Sequence, residues 1–307
     1  MIGTIVFIIA TFLVSFVCGI FTIPQITIFC KKKELYDMPN LRKVHTVNIP
    51  RMGGTCFMPC MIVAALLSIA VYRFNNNETL TISLWSFMFL VSIILIYTVG
   101  LIDDIVGVVP RVKFLVQILA ASLMPFSGLY INNLYGFMGI ETIPFYIGAP
   151  FTVFVIVFID NALNLIDGID GLSSGLCAIS LVALAGLHIW LGLYSYALLC
   201  ISALGVIIPF WFYNVFGNAL RGRKLFMGDS GSLSLGYIIS FLMIHLSTVD
   251  VHPRAVSDYN MVLAFTTMLV PLLDVVRVVG HRLRNRQNPF LPDKSHIHHK
   301  LLRCGLR

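Results

Sequence analysis

Residues 161–172 read Asn-Ala-Leu-Asn-Leu-Ile-Asp-Gly-Ile-Asp-Gly-Leu, in a chain that otherwise avoids charge. Asp167 and Asp170 are three residues apart, a spacing that puts two side chains on one face of a helical turn. Asn161 and Asn164 repeat that spacing just upstream, and Gly168 and Gly171 let the backbone come close to a ligand. Two carboxylates, two amides and two glycines at the mouth of an apolar segment suit a hard cation and a polar ligand. Neither packing nor solubility requires the combination.

Four other runs carry comparable chemistry. Gly100-Leu-Ile-Asp-Asp104 ends in adjacent carboxylates, with Arg111 and Lys113 just beyond. Such a pair repels itself unless a cation or a proton is shared. Phe226-Met-Gly-Asp-Ser-Gly-Ser232 leads into an apolar segment. A helix starting there points free N–H groups at an anion, and Asp229 in that setting makes most sense as a metal ligand beside phosphate. The run Asp37-Met-Pro-Asn-Leu-Arg-Lys-Val-His45, followed by Pro50-Arg-Met-Gly-Gly54, offers Arg42, Lys43, His45 and Arg51. The tail from Arg277 carries Arg282, Arg284 and Arg286, then His296, His298 and His299. No Cys or Glu with metal-site spacing accompanies these histidines, so phosphate contact is favoured over zinc. Asp274 reads as an intramembrane carboxylate that is either functional or paired with Arg277. Asp160 shows no motif and reads as an interface or loop charge.

The elements that must position these groups are membrane spans. The chain has 307 residues, is 58% hydrophobic and 11% charged, and has a mean hydropathy of +0.90. Soluble domains carry about 25% charged residues. The segments 1–30, 52–72, 79–102, 114–140, 142–159, 171–220, 230–249 and 259–273 are free of charge or nearly so, and 171–220 is long enough for two spans. A span takes roughly 20 apolar residues, which predicts an all-α polytopic protein of about nine transmembrane helices. The fifth is the weakest, because Pro144, Gly148 and Pro150 interrupt it. With the N-terminus outside, all of the 21 Lys and Arg except Arg73 and Arg254 fall in or beside the loops 30–51, 101–113, 160–171, 214–229 and 277–307. The positive-inside rule places those loops and the C-terminus in the cytoplasm. The net charge of +7 then reflects topology rather than nucleic-acid binding. Residues 1–24 lack a basic n-region, so they read as a first span rather than a cleaved signal peptide. The seven cysteines are scattered with no CxxC pair and read as small hydrophobes.

All five polar runs fall in those five loops, so residues 1–307 read as one transmembrane domain with its site on the cytoplasmic face. Hard oxygen ligands in this number suit Mg²⁺, with Mn²⁺ an alternative, and the surrounding bases suit a diphosphate. The chemistry is metal-assisted phosphoryl transfer at the membrane surface, with one substrate a lipid. No Walker A or GxGxxG run is present, which excludes the usual nucleotide-binding motifs. A cation- or proton-coupled transporter is the rival reading, but its acidic residues belong near mid-membrane.

The motifs Gly100–Asp104, Asn161–Leu172 with Ser173-Ser-Gly175, Gly228–Gly236 and His296–His299, in this order, resemble the polyprenyl-phosphate N-acetylhexosamine-1-phosphate transferases (glycosyltransferase family 4). The loop from Pro39 through His45 to Gly54 resembles the branch that makes undecaprenyl-linked GlcNAc-1-phosphate for O-antigen, common antigen and teichoic-acid linkage units. Gly107 stands where the phospho-MurNAc-pentapeptide branch carries Lys, which disfavours that alternative. The resemblance implies a bacterial inner-membrane enzyme with its site facing the cytoplasm. It implies transfer of the sugar phosphate from a UDP-N-acetylhexosamine to undecaprenyl phosphate, releasing UMP, with Mg²⁺. It leaves room for a homo-oligomer.

It also implies roles. Asn164 and Asp229 match the metal-holding positions, with Asp103 and Asp104 close by and Asp167 of less settled catalytic role. Gly168, Asp170 and Leu172 match the uridine-binding segment, and Phe226 matches the aromatic that stacks on uracil. Arg282, Arg284, His296, His298 and His299 match the loop that meets diphosphate and sugar, with His298 assigned to catalysis. Lys43 and His45 are placed at the lipid phosphate or the sugar. A phosphomonoester acceptor has its second pKa near 6 and is already mostly dianionic at pH 7. Direct in-line attack is therefore expected, with Asp103 orienting the acceptor or removing a residual proton. The family usually runs on for one or two spans beyond the histidines, and no catalytic residue is expected to be missing here.

Overall fold

The computed structural model describes residues 2–37, 48–75, 83–219, 221–248 and 258–286. Their architecture is helical: α1 (Ile2–Lys32), α2 (Phe57–Asn75), α3 (Leu84–Val106), α4 (Pro110–Phe126), α5 (Phe145–Ile166), α6 (Leu172–Trp190), α7 (Tyr194–Val215), α8 (Asp229–Ser247), α9 (Asp258–Thr266) and α10 (Leu269–Arg284). A two-residue strand pair, Tyr36–Asp37 against Ile49–Pro50, is the only sheet among the described residues. Seven helices are long and apolar enough to cross a membrane: α1, the helical run Gly53–Asn75 that contains α2, α3, α5, α6, α7 and α8. Exposed apolar side chains such as Phe21, Ile28, Phe154 and Ile179 cover their outer faces, as expected of surfaces that meet lipid tails.

The centre is α8, in which every residue from Ser230 to Ser247 is buried. Small residues explain how so many helices crowd around it. A Cβ on Gly54 would lie 2.1 Å from the Gly231 Cα, and one on Gly100 would lie 2.7 Å from the Ser230 Cα. Deeper in the bundle, a Cβ on Gly236 would meet Asp160 of α5 at 2.6 Å. The backbones therefore touch, and the N-terminus of α8 is held against the end of α3 and the start of the α2 segment.

Two expectations change here. The fifth span is a full helix of 22 residues. Pro144 stands just before it, where a missing N–H costs nothing, and Pro150 in the second turn gives up one ladder bond. The last apolar segment is broken into α9 and α10 at Thr267–Met268. Pro271 lies in the first turn of α10, where its ring is tolerated, and the Thr267 carbonyl freed by the break accepts a hydrogen bond from Ser180 Oγ at 3.0 Å.

Candidate active site

Four chain segments meet at the start of α8. Pro50–Gly54 pairs with Leu225–Met227 through hydrogen bonds: Phe226 N–H donates to Pro50 O, Gly53 N–H to Phe226 O and Gly54 N–H to Met227 O, at 2.7–2.8 Å. Arg51 donates to the carbonyls of Asp104 at 2.8 Å and Asp103 at 3.1 Å. Those oxygens lie in the last turn of α3, where a cation is favoured, and the Asp103 carbonyl also accepts the capping Gly107 N–H at 2.9 Å.

The adjacent carboxylates of α3 have different partners. Asp104 is buried, and its two oxygens accept from Asp229 N–H at 2.9 Å, Ser230 N–H at 3.0 Å and Ser230 Oγ at 2.6 Å. It thus caps the N-terminus of α8 from another helix. Gly228, at φ +76°, makes room for it: a Cβ there would lie 2.6 Å from each Asp104 oxygen. Asp103 accepts from Val108 N–H at 2.8 Å through one oxygen and lies 3.3 Å from Lys113 Nζ through the other.

Lys113, from the first turn of α4, also pairs directly with Asp229. Asp229 takes that ammonium on one oxygen and Asn164 Nδ2 at 3.2 Å on the other. Asn164 Nδ2 also donates to Ser232 Oγ at 2.9 Å. The amide hydrogens are thereby spent within the protein, and Oδ1 is the atom left to bind a cation. Carboxylate oxygens of Asp103, Asp104 and Asp229 all lie within 4.8 Å of one another. With Asp104 committed to α8, the donors that fit a hard divalent ion are Asp103, Asp229 and Asn164 Oδ1. An ammonium already lies between two of them, so the spot accepts positive charge.

The run that follows Asn164 is not a helix. α5 ends at Ile166, residues 167–171 form turns, and α6 begins at Leu172. Asp167 and Asp170 therefore do not share a helical face. Asp170 pairs with Lys224. Gly171 sits at φ +74°, and a Cβ there would lie 2.4 Å from Val215 and 2.8 Å from Trp211. Its N–H donates to Asn214 Oδ1 at 2.6 Å and its carbonyl accepts from Trp211 Nε1 at 3.2 Å. Asn214 also donates to Leu225 O at 2.9 Å, tying this turn to the strand-like segment before Asp229.

Asn161 faces away from this centre and donates to Gln117 Oε1 at 3.0 Å. Gln117 in turn donates to Asp160 Oδ2 at 2.8 Å. Asp160 is thus a buried residue of α5 packed on Gly236 rather than an interface or loop charge. Asp274 pairs with Arg277 at 2.7 Å. In α10, which packs on α5, Arg282 is buried and Arg284 is exposed. Phe226 is half-buried beside the Pro50–Gly54 segment, and Gly168 and Leu172 flank the Asp170 turn. Lys43, His45, His296, His298 and His299 lie outside the described residues.

The profile of glycosyl transferase family 4 matches residues 86–247, which include Asp103, Lys113, Asn164, Asp167, Asp170 and Asp229. A Bacillus subtilis protein named probable undecaprenyl-phosphate N-acetylglucosaminyl 1-phosphate transferase is 32% identical over 97% of this chain and 78% of its own length. The undecaprenyl-phosphate alpha-N-acetylglucosaminyl 1-phosphate transferases of Yersinia pestis and Escherichia coli K12 are 32% and 30% identical. These two cover 89% and 90% of the chain and 71% of their own lengths. The chain belongs to glycosyl transferase family 4.

Within this family 4 site, sequence reasoning gave no role to Lys113, Asn214 or Lys224. Each is a single polar residue in a basic loop or an apolar helix, and only the tertiary contact marks it. Asp167 has a titration consequence. Burial, with the negative charges of Asp229, Asp104 and Asp170, pushes its carboxyl up to about 8. At neutral pH the ion-free protein holds a proton there that the unfolded chain, with an Asp near 3.9, does not. Stability contributed by that proton is present at low pH and falls as pH rises through the interval between the two values. A divalent cation at Asp103 and Asp229 reverses the local repulsion, so Mg²⁺ binding at pH 7 is expected to release a proton. Calorimetry in buffers of different ionisation enthalpy should show that release, and Asp167→Asn should remove it. An unchanged release in the variant would assign the proton to another group.

Proposed function

We propose that this protein transfers N-acetylglucosamine 1-phosphate from UDP-N-acetylglucosamine to undecaprenyl phosphate, releasing UMP, as a first membrane step in making a cell-surface polysaccharide or teichoic-acid-type polymer. The observation that carries this reading is the convergence of Asp103, Lys113, Asn164 and Asp229 at the N-terminus of the central helix, in a chain whose family relatives carry that activity in their names. A helix N-terminus, carboxylates for a cation and a nearby lysine are what a diphosphate requires.

In this reading residues 1–307 form one domain of nine passes in the bacterial inner membrane, with α9 and α10 making one broken pass and the site facing the cytoplasm. Asp103, Asp229 and Asn164 hold Mg²⁺, which when bound neutralises charge on the diphosphate. Lys113 supplies a second positive charge at the same oxygens. Asp103 orients the acceptor phosphate, and Asp170 with Lys224 shapes the nucleoside side, beneath Phe226. Gly168 and Leu172 complete that pocket. Arg282, Arg284, His296, His298 and His299 meet diphosphate and sugar, and Lys43 and His45 meet the lipid phosphate. Asp104 fixes the helix on which Asp229 rides.

Purified protein with undecaprenyl phosphate and a panel of UDP-N-acetylhexosamines is expected to release UMP fastest with the GlcNAc donor. Label from the sugar should pass to the organic phase, and chelation should stop the reaction. UMP release without acceptor, together with phosphorylated Asp103, would replace direct attack with a covalent route. Label remaining in the aqueous phase with every donor would sink the transferase reading.

A further inference from the structure

A cleft of about 810 Å³ lies between the C-terminal ends of α1 and α7, and none of its residues belongs to the carboxylate cluster. Among the described residues its walls include Ile28, Phe212 and Phe216, all of them exposed. Its polar end is formed by Lys31, Arg221 and Arg223. The turn after α7 is shaped to bring these cations together. Gly222 sits at φ +62°, and a Cβ there would lie 2.4 Å from Lys31 Nζ. Asn218 Oδ1 accepts from Arg221 N–H at 3.1 Å and closes the turn.

Among the described residues no carboxylate lies within ion-pair distance of these three, whereas Lys113 and Lys224 are both paired. Three uncompensated cations gathered at one end of an apolar furrow favour a ligand with an anionic head and hydrocarbon tails. We propose that this cleft is a binding site for an anionic diacyl phospholipid of the phosphatidylglycerol class. Basic pockets between helices on the cytoplasmic side suit such head groups. A soluble anion would use the cations and leave Ile28, Phe212 and Phe216 bare. The polyprenyl phosphate acceptor is assigned to the carboxylate cluster, which other helices build, and its displacement of the phospholipid is one arm of the test. The cleft opens between α1 and α7, while Asp103, Lys113 and Asn164 come from α3, α4 and α5.

The site has a route to the chemistry. The turn that carries Arg221 and Arg223 continues into Lys224, which pairs with Asp170, and starts after Asn214, which holds Gly171. A phosphodiester seated on Arg221 and Arg223 therefore steadies the segment that shapes the donor side. That consequence rests on the proposed function; the binding itself does not.

The test uses the full chain in nanodiscs of phosphatidylcholine with or without a minor fraction of phosphatidylglycerol, and native mass spectrometry of lipid retained after gentle detergent release. The wild type is expected to keep phosphatidylglycerol and shed phosphatidylcholine. Each of Lys31→Gln, Arg221→Gln and Arg223→Gln should lower occupancy about fivefold. Lys32→Gln with Lys33→Gln, at the end of α1 and just past it but outside the cleft, should match the wild type. In the transfer assay, phosphatidylglycerol should lower the KM for the UDP-sugar in the wild type and not in the triple variant. Equal retention by the triple variant, equal loss in the Lys32/Lys33 control, or displacement by equimolar undecaprenyl phosphate would each overturn the proposal. Absence of transfer in every lipid, with selective retention intact, would overturn the proposed function and leave the lipid site standing.

Discussion

Asp229→Asn is expected to lower the turnover of sugar-phosphate transfer on the order of 10³-fold at saturating donor while leaving the helical fold intact. Asp229 opens α8 and holds Lys113 on one oxygen and Asn164 on the other. Asparagine keeps the size of the side chain and one acceptor for Asn164, so packing is preserved. It removes the charge that a divalent cation and Lys113 both require. Affinity for Mn²⁺, read by electron paramagnetic resonance, should fall alongside turnover. Lys113→Met makes the complementary case. It leaves Asp103 and Asp229 facing each other without an ammonium, so Mn²⁺ should bind at least as tightly as in the wild type. Turnover should still fall about 10²-fold, because a positive charge is lost where the transferring phosphates develop negative charge. Wild-type turnover in Asp229→Asn with only a raised donor KM would mean that Asp229 positions the donor and does not hold the cation.

The sequence exposed this centre because polar residues are costly in a membrane and every cluster fell in a loop of one sign. Asp103, Asn164 and Asp229 fall in three of the loops expected from the sequence; the structure shows them at the ends of α3, α5 and α8 and brings them together. Lys113 was visible only as one of the bases beside the Asp103–Asp104 pair, without partners. Beside Arg111 it reads as one more topogenic base, and its two partners lie on α3 and α8. Asn214 looks like an ordinary residue near the end of an apolar helix until its contacts to Gly171 and Leu225 are seen. Asp160 was misplaced because it borders the uncharged stretch 142–159, yet α5 runs on to Ile166 and buries it against Gly236. The helical spacing of Asp167 and Asp170 misled for a local reason. The chain leaves α5 before either residue and reaches α6 through Gly171 in a left-handed conformation.

Asp104→Ala is expected to destabilise the protein by about 3 kcal/mol, because buried donors left without acceptors cost about 1–3 kcal/mol each. Asp104 is 2% exposed and accepts two backbone N–H groups and one hydroxyl at the first turn of α8. Gly100 of α3 leaves less than 3 Å between a Cβ and the Ser230 backbone, so the helix contact closes that side of the turn. Asp104→Asn retains one carbonyl oxygen but turns an amide N–H₂ toward the same donors, and should be nearly as harmful. Its neighbour behaves differently. Asp103→Asn keeps an acceptor for Val108 N–H and loses only a partly exposed pair with Lys113, which is worth about 1 kcal/mol or less. Thermal unfolding in detergent, followed by intrinsic fluorescence, should show a lowered midpoint for Asp104→Asn and a nearly unchanged one for Asp103→Asn. Specific activity of the folded fraction should show the reverse order, with Asp103→Asn the more impaired. An Asp104→Asn protein as stable as wild type yet inactive would move Asp104 from the frame of α8 to the ligand itself. The two adjacent carboxylates then divide the work by direction. One fixes where α8 begins, and that placement lets the other share a cation with Asp229.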